Sequence, residues 1–234
     1  SFVAADYRAD LRDLPIGVFD SGVGGLTVLE AIKAHDRHHN LTGADGADGV
    51  PDFAGERFVY FGDQANMPYG NYSAVGRTGF LRELILRDAL FLLGRRQANG
   101  TKPPVKAIVI ACNTATAYGL EDIRAAVKAW GIPVIVIGVV EAGAQGLAET
   151  AEGAQGGVAV LATVGTCASN AYPKAIAKVT GRPVRQLGSA TLAAAIEGDP
   201  SVKMPIRDII RADVGAFLKS AAADKAAPID TLML

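Results

Sequence analysis

Val105-Lys106-Ala107-Ile108-Val109-Ile110-Ala111-Cys112-Asn113-Thr114-Ala115 passes from a short β-branched run straight into a thiol, an amide and a hydroxyl. The run is short, bounded by prolines upstream and polar residues downstream, and predicts a strand over Val105–Ile110. A helical pattern then covers Ala115–Trp130, and Val134–Ile137 reads as the next strand. The same alternation extends both ways. Strands are predicted at Ile16–Phe19, Phe58–Phe61, Val158–Leu161, Val184–Leu187 and Ile229–Leu234, and helices at Gly25–Ala34, Ser73–Arg96, Ala142–Ala151, Ala168–Val179, Thr191–Ile196 and Val202–Ala222. Alternating elements of this kind imply an α/β fold with mainly parallel sheet and helices on both faces.

Two features organise the chain. Residues 36–56 break the rhythm with the Gly/Asp-rich Thr42–Gly49 and read as an inserted surface loop. Lys106–Ala111 and Asp230–Leu234 are similar strands, and only the first runs on into Cys-Asn-Thr. Two similar α/β lobes are therefore expected, 1–131 and 132–234, with the active site in the cleft between them and the second lobe incomplete at its C-terminal end.

Composition narrows the function. Of 234 residues half are hydrophobic and the formal net charge is −1, so nothing in the charge balance points to nucleic acid or an anionic membrane. Runs such as Val134–Val140 are far too short to span a bilayer, and the opening residues do not read as a secretory leader. Two cysteines in the whole chain argue for reduced thiols and a cytoplasmic setting. Ser1 is not expected to be the first residue of the gene product.

Ligands of open α/β sheets bind beyond the carboxyl ends of the strands. Polar groups recur there: Asp20-Ser21-Gly22, Gly62-Asp63, Cys112-Asn113-Thr114 and Thr163. Asp20–Gly25 fails as a dinucleotide fingerprint, having Thr27 where a glycine is required, and fails as a P-loop, having Val23 in place of lysine. What survives is a tight turn opening a helix, able to hold a carboxylate or simply capped by Asp20 or Ser21. Cys112 precedes a helix, whose dipole lowers a thiol pKa. A hydrolase reading lacks a general base, because His35, His38 and His39 all sit at the start of the inserted loop. They suit a solvated loop better than a metal site. Cys167 reads as a small apolar residue at a helix start.

Taken in order, Asp20–Thr27, Tyr60-Phe61-Gly62-Asp63, Pro68-Tyr69-Gly70, Ala111–Ala115 and Ala162–Thr166 with Ser169 and Tyr172 resemble the bacterial glutamate racemases. The resemblance implies interconversion of L- and D-glutamate by two-base thiol proton transfer, without pyridoxal phosphate, metal or other cofactor, to supply D-glutamate for peptidoglycan. It implies a homodimer. By the same resemblance Cys112 serves one face of the substrate, removing the proton from D-glutamate, with a catalytic Asp20 beside it whose carboxylate raises the thiol pKa and makes the sulfur a better proton acceptor. Ser21, Tyr69, Gly70, Asn113, Thr114, Thr163 and Thr166 match positions that bind the substrate's amine and carboxylates. Glu197 matches an acidic residue supporting the second acid/base, although an exposed helix-end glutamate fits it equally well.

The family's second catalytic segment, Gly-Cys-Thr-His, is expected directly after Leu234. Without a second thiol, one face alone could exchange its proton. A racemase or isomerase of another small amino acid, and a truncated, non-enzymatic carboxylate-binding protein, stay open as alternatives.

Overall fold

The computed structural model describes residues 2–8, 10–150, 154–223 and 228–234. The elements follow as β1 (Ile16–Asp20), α1 (Gly25–Ala34), β2 (Phe58–Gly62), α2 (Gly70–Ala74), α3 (Thr78–Leu93), a short hairpin β3 (Arg96–Gln97) and β4 (Gly100–Thr101), β5 (Ala107–Ile110), α4 (Asn113–Ala129), β6 (Ile135–Gly138), α5 (Val139–Thr150), β7 (Gly157–Thr163), α6 (Val164–Ser169), α7 (Ala171–Val179), β8 (Val184–Ser189), α8 (Leu192–Ile196), α9 (Ile206–Ala223) and β9 (Ile229–Met233).

The first sheet has the order β2-β1-β5-β6 and the second β8-β7-β9; every pairing within them is parallel. Alternate side chains of β5 divide between the two faces. Ile108 and Ile110 join the core made with α3 and α4, and Val109 packs with Val28, Leu29 and Ile32 of α1. Val140, Ala144 and Leu147 of α5 and Tyr172 and Ile176 of α7 cover Val158 and Val160 of β7 in the second lobe. This is the expected architecture of helices around two parallel sheets.

Several boundaries differ from expectation. The division expected at 131/132 falls inside the first sheet, because β6 pairs with β5 through Ala107↔Ile135 to Ile110↔Gly138. The change of sheet comes between β6 and β7. The helix expected over Ser73–Arg96 is two helices, since Gly76 adopts φ 72°, a left-handed conformation that ends α2. Asn170, at φ 54°, likewise divides the expected Ala168–Val179 helix. Lys102 donates from Nζ to the carbonyls of Leu92 and Gly94, satisfying the end of α3, and the hairpin turns the chain back toward β5.

The 36–56 insertion lacks regular structure but is internally tied. Asp36 accepts from the N–H groups of Asp48 and Gly49, and Asp52 from those of Arg37 and His38. Its histidines face aspartates, with His38 Nδ1 3.1 Å from Asp52 and His39 Nδ1 3.3 Å from Asp48. Among the described residues no helix is long and apolar enough to cross a membrane.

Candidate active site

The carboxyl ends of β1, β5 and β7 meet along one cleft of about 600 Å³. Asp20, Ser21, Tyr69, Gly70, Cys112, Asn113, Thr114, Thr163 and Glu197 all line it. Thr166 does not; it is fully buried behind the wall, bonded to Thr114 and Thr163. Cys167 also lies outside this cleft lining.

Cys112 caps α4, its Sγ accepting from the N–H of Ala115 at 3.4 Å. Ser21 Oγ lies 3.5 Å from the same sulfur. The dipole argument for a lowered thiol pKa is overridden here. Burial, reinforced by the charge of Asp20, pushes the Cys112 thiol up to about 11, against the opposing hydrogen bonds from Ser21 and Ala115. At neutral pH the sulfur therefore carries its proton in the free site.

Asp20 is buried, with both oxygens held: Oδ1 accepts from the N–H of Ser21 and Oδ2 from that of Gly25, each at 2.8 Å. It caps the start of α1 and acts on Cys112 through its charge. Gly25 has to be glycine, since a Cβ would lie 2.8 Å from Asp20 Cβ and from Ala111 Cβ.

Side chains from the two lobes interlock across the cleft. Thr114 Oγ1 on α4 sits 3.2 Å from Thr163 Oγ1 and 3.0 Å from Thr166 Oγ1. Thr163 caps α6 by accepting from the N–H of Thr166. Tyr172 of α7 donates to Asn113 Oδ1 at 2.8 Å, which turns the Asn113 amide N–H₂ away from that bond. Gly70 packs so closely on the second lobe that a Cβ would come within 2.8 Å of Thr163 Cβ. Glu197, at the end of α8, accepts from the N–H of Val23 at 3.4 Å, so it reaches across to the first lobe rather than standing free in solvent.

One single-residue reading is sharpened and two residues are added. Tyr69 is almost wholly buried and its hydroxyl is taken up by Asp63 and Asp88, so only its backbone can serve a ligand. Tyr172 and Tyr60 were missing from the sequence-derived site. Tyr60 donates to the carbonyl of Gly22, fixing the turn that carries Ser21. The signal for Tyr172 was its place in the block that follows Thr163. Tyr60 carried only its membership of the motif with Asp63.

A family profile for Asp/Glu/hydantoin racemases matches residues 82–228. The chain belongs to the Asp/Glu/hydantoin racemase family. Within this racemase family, the glutamate racemase of Limosilactobacillus fermentum is 31% identical over 221 residues, covering 94% of this chain and 66% of that protein. The glutamate racemase of Chlorobaculum tepidum is 38% identical over 164 residues, 70% of this chain and 47% of that protein. Thus the chain spans between about half and two thirds of the length of these relatives. Among solved structures, glutamate racemase isoform RacE1 from Bacillus anthracis superposes with a TM-score of 0.69 at 28% identity, covering 94% of this chain and 67% of that one. The Francisella tularensis glutamate racemase in complex with D-glutamate gives 0.55 at 27% identity, covering 84% and 61%.

Proposed function

We propose that this chain forms the substrate cleft and one acid/base of a glutamate racemase. The observation that carries the reading is Cys112, a buried thiol at a helix start, within reach of Ser21 and beside Asp20 in the inter-lobe cleft. Its relatives are named glutamate racemases, and the Francisella tularensis structure holds D-glutamate.

Among the described residues that line the cleft there is no lysine or arginine. Carboxylates would instead meet neutral donors: the hydroxyls of Ser21, Thr114 and Thr163, the Asn113 amide, and the first N–H groups of α4, which have no partner within the helix. Asp20 and Glu197 offer negative charge to the substrate ammonium. That ammonium, once bound, opposes the charge of Asp20 and eases ionisation of Cys112.

Thiolate at Cys112 then takes the Cα proton of D-glutamate, leaving the bonding electron pair on Cα. A second acid on the opposite face returns a proton to Cα and gives L-glutamate; the reverse direction uses the same groups with roles exchanged. The resemblance puts that second acid in a Gly-Cys-Thr-His segment directly after Leu234, and Met233 and Leu234 of the β9 strand end line this same cleft. Thr166 supports Thr114 and Thr163 from behind. No cofactor enters this chemistry. A cytoplasmic homodimer completes the proposal; a catalytic thiol has to stay reduced, which favours that compartment, and light scattering on the full-length protein checks the dimer.

Incubation of the full-length protein with D-glutamate in deuterated water tests the reaction. Loss of optical rotation with deuterium at Cα is expected. Glutamate binding with neither change would favour a carboxylate-binding protein, and exchange on a different amino acid would reassign the substrate.

A further inference from the structure

Asp88 lies on α3 with Leu84, Ile85, Phe91 and Leu92 at helical spacing around it, in the apolar core of the first lobe. It is 5% exposed, and Tyr69 and Asp63 beside it are 1% and 8% exposed. The Tyr69 hydroxyl is 2.6 Å from Asp88 Oδ2 and also 2.6 Å from Asp63 Oδ2. A phenol has one proton, so it donates one of these bonds and must accept the other. One carboxyl group therefore carries a proton of its own.

Asp63 is the better home for the charge. Its two oxygens accept from Asn66 Nδ2 at 2.9 and 3.0 Å. The ionisable groups acting on Asp88 are Tyr69 and Asp63 from the segment between β2 and α2, and Arg87, which is exposed on the same helix. Phe61 of β2 and Leu120 and Ile123 of α4 belong to the same apolar cluster.

We propose that Asp88 is a positioning residue held as a neutral carboxylic acid, donating to Tyr69, which donates to Asp63, so that the pair of bonds fixes the Met67–Gly70 wall of the cleft. The arrangement agrees with the direction in which burial moves Asp88, up to about 7. Its influence on glutamate binding rests on the racemase reading; the protonation itself does not.

The first test is infrared spectroscopy of the full-length protein at pH 6, where ordinary carboxylic acids are ionised. A protonated-carboxyl carbonyl band is expected in wild type, titrating away as pH rises past neutrality and missing in Asp88→Asn. No such band in wild type, or its survival in Asp88→Asn, overturns the proposal whatever the protein's activity. The second test compares glutamate KM. Asp88→Leu, which removes the donor, should raise KM by about tenfold, the scale of one lost buried hydrogen bond to a charged network. Asp88→Asn, which keeps a donor, should recover most of that loss. It should also flatten the rise of KM with pH through 7. Equal KM values in Asp88→Leu and wild type, with the band present, would leave Asp88 protonated but without a positioning role and so overturn that part.

Discussion

Cys112 Sγ lies 3.5 Å from Ser21 Oγ, although the two residues are 91 positions apart in the chain. The contact joins the ends of neighbouring strands β1 and β5 and puts the thiol, a hydroxyl and the buried Asp20 carboxylate on one wall of the cleft. Asp20 disfavours the thiolate, while the hydrogen bonds of Ser21 and Ala115 favour it. A sulfur so poised is a reluctant but strong base once ionised.

Replacing this sulfur tests its part in the chemistry. In Cys112→Ala, Cα exchange on the face served by Cys112 should fall by about 10²–10⁴-fold or more, the range for a lost general acid/base. The fold should survive, because one small side chain is removed. Deuterium incorporation and thermal melting together check this.

The raised thiol pKa has a pH signature. With D-glutamate as substrate Cys112 acts as base, so kcat/KM should climb with pH from neutrality towards the free-enzyme value of about 11. For stability the sign is opposite: a thiol whose folded pKa exceeds its unfolded value contributes stability present below the unfolded pKa, and lost as pH rises through the folded one. Cys112→Ser should remove the alkaline arm of both profiles, measured by initial rates and by denaturant titration.

Tyr172→Phe should loosen Asn113 without touching the thiol. The lost hydrogen bond is worth about 0.5–1.5 kcal/mol, which predicts a KM increase of roughly two- to tenfold with kcat less affected. Steady-state kinetics of the variant decide it; a change in kcat alone would contradict the positioning role.

Gly70→Ala probes how closely the lobes approach. The added Cβ would meet Thr163 Cβ at 2.8 Å, so one wall has to give. A loss of about 1–3 kcal/mol in stability is expected, as for an overpacked contact, together with weaker glutamate binding. Calorimetric melting and titration with glutamate measure both.

Ser21, Cys112, Asn113, Thr114 and Thr163 were legible in the sequence because polar groups at the ends of apolar strands have few uses other than caps and ligands. Asp88 was not. Its signal was the one carboxylate, next to Arg87, in the mostly apolar Leu84–Leu93 stretch, a mismatch that a search for strand-end residues passes over. The turn of Glu197 toward Val23 depended on a contact between segments far apart in the chain, and that of the Tyr69 hydroxyl away from the cleft on nearby Asp63 together with Asp88 of α3.

By itself the sequence determined the alternation of strands and helices, the parallel sheets that alternation requires, and the strand ends at which chemistry gathers, because periodicity and capping are local properties. Only the tertiary structure decided that β6 closes the first sheet, that Asp20 is held by two N–H groups, and that burial outweighs the helix dipole at Cys112. Desolvation depends on every atom packed around a group, and the residues clustered with Cys112, from Phe19 to Val136, are widely separated in the chain. Cys112 could therefore be located from its neighbours in sequence, while its proton was settled by its neighbours in space.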